Sequence, residues 1–331
     1  MIIDQQKQDF SFIKNVAVEA DRLGFHSIWL NDHFFFTEVP YLECFTTMSG
    51  IARITNKIRL GSLVACNSYR NPAHLAKMIS TIDNISNGRV EFGIGAGWHD
   101  EEYYAYGYEF PPAKIRIRRL AEAVQIIKAM WTNEKASFSG KYYSINDAVC
   151  NPSPVQKPYP PIWIGGSGNM LINVVAKYGD GCNLGIGPRL ALTPEKYKER
   201  VSYLESRCRA IGRDPKSVRK SFSAVMVIGK DKEDVKRGVR EAIAEISTHA
   251  SARRKIITAL SHPSYLVSGF LSIVGLGRPK FMIAGTPEEC ANLLKQFSDL
   301  GVELFMFHIP NLRKKMYSLE LLIDKVAPMV E

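Results

Sequence analysis

Three of the seven histidines, His33, His99 and His308, stand at or just past the ends of short β-branched or aromatic runs. His33 follows an acidic residue, Asp32. Imidazole changes charge near neutral pH, so His33 is a candidate proton donor or hydrogen-bond donor to a cofactor, with Asp32 as its candidate catalytic neighbour. A core or capping histidine is the plain alternative. Gly165-Gly166-Ser167-Gly168 opens a helical pattern at Asn169. Glycines let backbone come close, and free N–H groups at a helix start suit a phosphate, although a simple strand-to-helix turn reads the same way. Gly93-x-Gly95-x-Gly97 is no dinucleotide fingerprint, because Trp98 and Asp100 stand where a further glycine is needed. These glycines are expected to keep a site mouth open for a flat ring. No HxH, HExxH or cysteine cluster is present, and no metal is expected, since His33, His99 and His308 could meet only in three dimensions. A metal-dependent hydrolase is therefore a remote reading. GxSxG and the Walker lysine loop are both missing, which disfavours acyl and phosphoryl transfer.

A repeated unit positions these residues. A helical pattern ends at Gly or Asn-Gly and a short strand follows, as at Leu23-Gly24, Asn87-Gly88, Tyr178-Gly179 and Leu300-Gly301. Glycine in the left-handed conformation closes a helix and lets a strand begin at once. Eight strands are predicted at about 1–4, 26–30, 57–65, 89–95, 161–165, 180–184, 221–228 and 302–308, with helices between them and a last one over 316–329. Alternation of this kind predicts an α/β protein, a single-domain (β/α)₈ TIM barrel with insertions after strands four and seven. The excursions, about 98–160 and 229–285, carry a hairpin around Ser139-Gly140 and a mixed basic and apolar stretch, Ala252 to Phe270. Both are lid candidates. The active site is expected at the C-terminal strand ends, where Asp32, His33, Cys66 to Pro72, Gly95 to His99, Gly165 to Gly168 and His308 fall. The first strand is the shortest, so the natural start is expected upstream unless that strand is minimal.

Composition narrows the class. The 331 residues are 46% hydrophobic and 23% charged, which excludes disorder and coiled coil. No apolar run approaches a membrane span and no signal peptide is visible, so a cytosolic protein is expected. Six scattered cysteines without a CxxC pair read as reduced thiols. The net charge of +10 is lopsided, −4 over residues 1–110 and +14 over 111–331. Lys114, Arg116, Arg118 and Arg119 read as an exposed helix face with partners such as Glu122. Nucleic-acid binding wants aromatics interleaved with basic residues, a pattern not seen here.

Several ordered motifs resemble the bacterial-luciferase-like family. They are Trp29-x-x-Asp32-His33-Phe34, Ile58 to Val64, Tyr69-Arg70-Asn71-Pro72-Ala73-x-x-Ala76-Lys77, Asp83-x-x-Ser86-Asn87-Gly88-Arg89, Gly93 to Trp98, Asn151-Pro152-x-Pro154-Val155-Gln156-x-Pro158, and Pro160 to Gly168. The likeness runs over about 5–185 and resumes from Gly285 through strand eight. It implies a flavin- or deazaflavin-dependent oxidoreductase, most similar to the coenzyme F420-dependent branch, which holds sugar-phosphate and alcohol dehydrogenases and a methylenetetrahydromethanopterin reductase. FMN is the second cofactor, in a monooxygenase, and a non-catalytic cofactor-binding barrel is the reading from another class. By position, the resemblance implies that Asp32 and His33 face the central ring and that Leu63, Val64 and Ala65 form the strand-three bulge, with a non-proline cis peptide at Leu63-Val64. Ala96, Gly97 and Trp98 pack the ring, and Gly165, Gly166, Ser167 and Gly168 hold the cofactor phosphate. It also implies a small-molecule substrate, a homodimer and neither nucleic-acid nor membrane partners. One departure is Trp98, where the glucose-6-phosphate dehydrogenase branch carries an acidic residue, and this counts against a sugar phosphate.

Overall fold

Glycine geometry explains how helices here turn into strands. Gly24, Gly88 and Gly301 have φ of 80°, 80° and 87°, the left-handed region that closes a helix cheaply only without a Cβ. They separate α1 (Phe10–Arg22) from β2 (Ser27–Leu30), α3 (Pro72–Ile85) from β5 (Val90–Gly95), and the helix Pro287–Ser298 from β12 (Leu304–His308). Gly179 departs from the expected pattern, with φ of −79°, and its carbonyl accepts from the guanidinium of Arg213 at 2.7 Å. The computed structural model describes residues 1–36, 39–166, 168–184, 193–248 and 282–330.

Further elements complete the barrel and its excursions, ahead of a C-terminal helical segment over 317–330. They are β1 (Ile2–Ile3), α2 (Cys44–Ile54), β3 (Arg59–Ser62), β4 (Ala65–Cys66), α4 (Asp100–Ala105), α5 (Ala113–Thr132), β6 (Ala136–Ser139), β7 (Ser144–Ala148), β8 (Ile162–Gly165), α6 (Asn169–Tyr178), β9 (Gly181–Asn183), α7 (Pro194–Ala210), β10 (Arg219–Ile228), α8 (Lys232–Thr248) and β11 (Met282–Gly285). Parallel pairing runs β1, β2, β3, β5, β8, β9, β10, β12 and returns to β1, which closes an eight-stranded barrel. All eight expected strands are present. β11 was not expected; it adds to the C-terminal half of β10, which extends past the end of β12. The expected hairpin is β6–β7, and its turn is held by Glu122, which accepts from the N–H groups of Lys141, Tyr142 and Tyr143. The stretch Ala252 to Phe270 lies outside the described residues.

Two indoles fill the barrel interior. Trp29 on β2 and Trp163 on β8 meet edge to face at 6.0 Å, with Ile2, Leu63, Leu304 and Met306 around them. The neighbouring strands make room with glycine: a Cβ on Gly61 or on Gly181 would run into Trp29 or Trp163 respectively. Trp163 donates to Glu91 at 2.5 Å, and Glu91 is paired with Arg59 toward the N-terminal end of the barrel. Gly93 is as constrained, because its Cβ would overlap the carbonyl oxygen of Ser62 on the adjoining strand. Gly93→Ala is therefore expected to cost more than about 3 kcal/mol, since backbone must move. Gly168→Ala, which meets nothing within 4 Å, should cost about 1 kcal/mol or less. Urea unfolding of the two variants checks this, and equal midpoints would refute it.

Candidate active site

The C-terminal end of β2 delivers Asp32 and His33 to the barrel mouth. Asp32 is withdrawn from solvent, its side chain 1% exposed. It accepts two hydrogen bonds from Arg70, at 2.7 and 3.0 Å, and one from the Cys66 N–H at 2.8 Å. Burial pushes its carboxyl above the ordinary value, while the Arg70 guanidinium and the Cys66 N–H pull the other way. Burial also opposes the charge on Arg70, but Asp32 and Glu43 outweigh it and raise its pKa. Arg70 further bonds Glu43, the N-cap of α2, at 2.9 Å and lies over the Phe45 ring. One guanidinium thus ties β2, β4 and α2 together.

His33 is held from the other side by α4. Its Nδ1 lies 2.6 Å from Oε2 of Glu102, a carboxylate with no exposed surface. The same oxygen accepts from the Tyr69 hydroxyl at 3.0 Å, and Oε1 accepts from the N–H groups of Phe34 and Phe35. His99 Nδ1 is 3.0 Å from Oε2, out of line for a hydrogen bond and otherwise unpartnered. Burial drives Glu102 upward, but the contacts with His33 and His99 and the Phe34 N–H outweigh it and hold the carboxyl at about 2. Donor atoms of His33, His99 and Glu102 fall within 4.8 Å of one another. A 2.6 Å N···O separation is a hydrogen-bond length, and that bond uses the lone pairs a cation would need. His308 closes β12 beside Val225 and Ile2 and takes no part in this group.

Aromatic rings frame the imidazole. Phe36 lies 4.3 Å from it between ring centres, and Trp98, 53% exposed, presents its ring at 5.5 Å and 76°. Trp98 also stacks on His99 at 5.2 Å. The bulge between β3 and β4 is present, with a cis Leu63-Val64 peptide. Leu63 points into the barrel interior, Val64 packs against that cluster, and Ala65 is fully buried. The strand-four glycines were expected to keep the mouth open, and here the structure corrects the sequence reading. A Cβ on Gly95 or Gly165 would come within 2.7 or 2.9 Å of Val64 methyls, and one on Gly97 would strike Tyr103 and Cys66. These glycines receive the bulge and the helix behind it. Ala96 remains half-buried at the end of this run.

Beyond β8, Gly165 and Gly166 are half-buried, Gly168 is exposed, and Ser167 lies outside the described residues. Gly168 is the N-cap of α6, no side chain among the described residues caps that end, and among them nothing lies within 4 Å of where its Cβ would be. Uncapped N–H groups at a ten-residue helix facing open space fit a phosphate. Arg116 departs from the expected exposed face: it is buried over the Phe110 ring at 4.0 Å and bonds the Pro111 carbonyl. Glu122 serves the hairpin rather than the arginines. Arg70 and Glu102 were not singled out as site residues. Glu102 sits in Asp100-Glu101-Glu102, which reads as a solvated helix start, and nothing local marks the third carboxylate as buried.

Residues 2–304 match the family described as luciferase-like monooxygenase. A relative from Amycolatopsis mediterranei, named F420-dependent glucose-6-phosphate dehydrogenase, is 26% identical over 302 residues, covering 89% of this chain and 87% of its own. Among solved structures, an F420-dependent secondary alcohol dehydrogenase in complex with an F420-acetone adduct superposes with a TM-score of 0.79 at 20% identity, covering all of this chain and 98% of the other. The FMN-bound oxygenating constituent of 3,6-diketocamphane monooxygenase from Pseudomonas putida gives 0.78 at 17% identity, with the same coverage. At these identities the two structures show the fold. No described helix is long and apolar enough to cross a membrane.

Proposed function

The chain belongs to the luciferase-like monooxygenase family, and from that premise we propose that this oxidoreductase transfers a hydride between coenzyme F420 and a small alcohol, sugar phosphate or tetrahydromethanopterin-type pterin. The observation that carries the reading is His33, an imidazole at a barrel strand end with Nδ1 tied to Glu102 and Nε2 without a hydrogen-bond partner among the described residues. F420, when bound, supplies a deazaflavin carbon that accepts or returns a hydride. This chain's own residues do the rest. His33 handles the proton of the substrate oxygen. Asp32 holds Arg70 and the β4 backbone, and so keeps the floor beneath His33 in place. Phe36 and Trp98, 6.4 Å apart between ring centres, offer apolar rings beside the imidazole, which orient a planar ring and exclude water. The open start of α6 at Gly168 is the place for a cofactor phosphate.

The FMN-bound neighbour of equal coverage keeps a monooxygenase as the second reading. Fluorescence quenching of the purified protein with F420, FMN and NADPH separates the two, followed by screening alcohols, sugar phosphates and pterins for F420 reduction. Tight FMN binding without F420 binding sinks the first reading. The excess of +14 over residues 111–331 includes the α6 turn. F420 carries a phosphate and a glutamate tail, so raising salt from low to well above physiological ionic strength should weaken its binding on the order of tenfold. Salt-independent quenching would return that charge to plain solvation.

A further inference from the structure

We propose that Glu102 is a positioning residue that fixes the proton of neutral His33 on Nδ1, so that Nε2 serves as a proton acceptor for the substrate hydroxyl. The tautomer follows from geometry alone, and only the identity of the hydroxyl rests on the function proposed above. A carboxylate has no proton to give, so the 2.6 Å bridge between Oε2 and Nδ1 needs its hydrogen on the imidazole. Sequence pattern suggested a donor at His33; this bond makes the free nitrogen of the neutral ring an acceptor. In the oxidative direction the substrate O–H bond breaks, an N–H bond forms at Nε2, and the electron pair stays on oxygen. The redox half belongs to the deazaflavin named above. The imidazolium so formed faces an anion, since the carboxyl is held at about 2.

Other groups act on the same carboxylate. Tyr69 donates to Oε2 at 3.0 Å, His99 Nδ1 lies 3.0 Å away, and Glu101 stands 3.7 Å from the far nitrogen of His99. Tyr103 faces Cys66, and the Asp32–Arg70 pair flanks His33 along the chain. Tyr41 is near enough to feel the charge of Glu102. Of the side-chain nitrogens among the described residues, His33 Nδ1 alone makes an in-line bond to the carboxylate, and Glu102 also anchors the loop after His33 through the Phe34 and Phe35 N–H groups. Loss of the carboxylate should therefore alter both the proton's position and the ring's orientation.

Nitrogen-15 NMR of histidine-labelled, cofactor-free protein tests this, with the His33 signals assigned by their absence in His33→Asn. At high pH the wild type should show a pyrrole-type Nδ1 and a pyridine-type Nε2. In Glu102→Gln the amide can donate to Nδ1, and the pattern should mix or invert. Tyr69→Phe removes another partner of Oε2 and should leave the His33 pattern intact, which separates a specific bond from general loosening. A wild-type proton on Nε2, or an unchanged pattern in Glu102→Gln, overturns the proposal. Should Glu102→Gln not fold, the wild-type spectrum and Glu102→Asp decide, since the shorter carboxylate should lose the bias. With F420 and an alcohol that the wild type oxidises, Glu102→Gln should lower kcat roughly 100-fold and change KM within about threefold. A kcat loss under about threefold also overturns it. Absence of wild-type turnover counts against the proposed function and leaves the spectral result standing.

Discussion

Replacing His33 by alanine is expected to lower kcat by about 10²- to 10⁴-fold while F420 binding stays within about threefold. The asymmetry follows from where the imidazole sits. Its inner nitrogen is anchored to a buried carboxylate, and its rings of contact are Phe36 and Trp98, which remain to hold a planar ligand after truncation. What disappears is the group that takes a proton in step with bond breaking. Steady-state kinetics and fluorescence titration on the same preparation decide the matter. Equal losses of turnover and affinity would make His33 a binding residue only. Truncation also strips Glu102 of its imidazole donor while leaving the Tyr69 hydroxyl and the Phe34 and Phe35 N–H groups on it. The variant should therefore fold, and its melting transition serves as the control.

The largest effect on stability is expected at Arg70. Arg70→Ala should cost about 3–5 kcal/mol, because it leaves the buried carboxylate of Asp32 without its cation. Asp32 would retain only the Cys66 N–H among its described hydrogen-bond donors. Arg70→Lys keeps the charge and loses the fork that meets both carboxylate oxygens, so a smaller loss is expected. The double variant Arg70→Ala, Asp32→Asn should recover part of the loss, since it removes the uncompensated charge as well as its partner. Chemical denaturation of the single and double variants measures this. A single-variant loss below about 1 kcal/mol would mean that water reaches Asp32 and the pair acts like an exposed one.

The barrel was legible because its signals are local. Helical periodicity, a cap and a glycine repeat within short windows, and β2, β5, β9 and β12 follow such a unit. β11 and α4 lacked those signals. β11 is only four residues, Met282 to Gly285, and the six of α4 begin with three acids that resemble a solvated surface. The contacts that require glycine are hidden in the sequence for a related reason. Gly61 answers Trp29, Gly181 answers Trp163, and Gly95 and Gly165 answer Val64, all across strands. Only assembled strands reveal which large side chain a missing Cβ accommodates. His33 and Asp32 could be singled out by position; Arg70 and Glu102, which hold them, reach the site from distant segments and became visible only as buried partners.

The paired indoles have a kinetic corollary. Trp29 and Trp163 are fully buried, and with Glu91 and Arg59 beneath them the barrel interior is a plug. Two reactants that meet over such a plug share one doorway. Whichever lies deeper must arrive before its companion and depart after it, so the traffic is last in, first out. A cofactor ring resting on the mouth floor would thus impose a compulsory order on each catalytic cycle, set by two tryptophans that touch neither reactant.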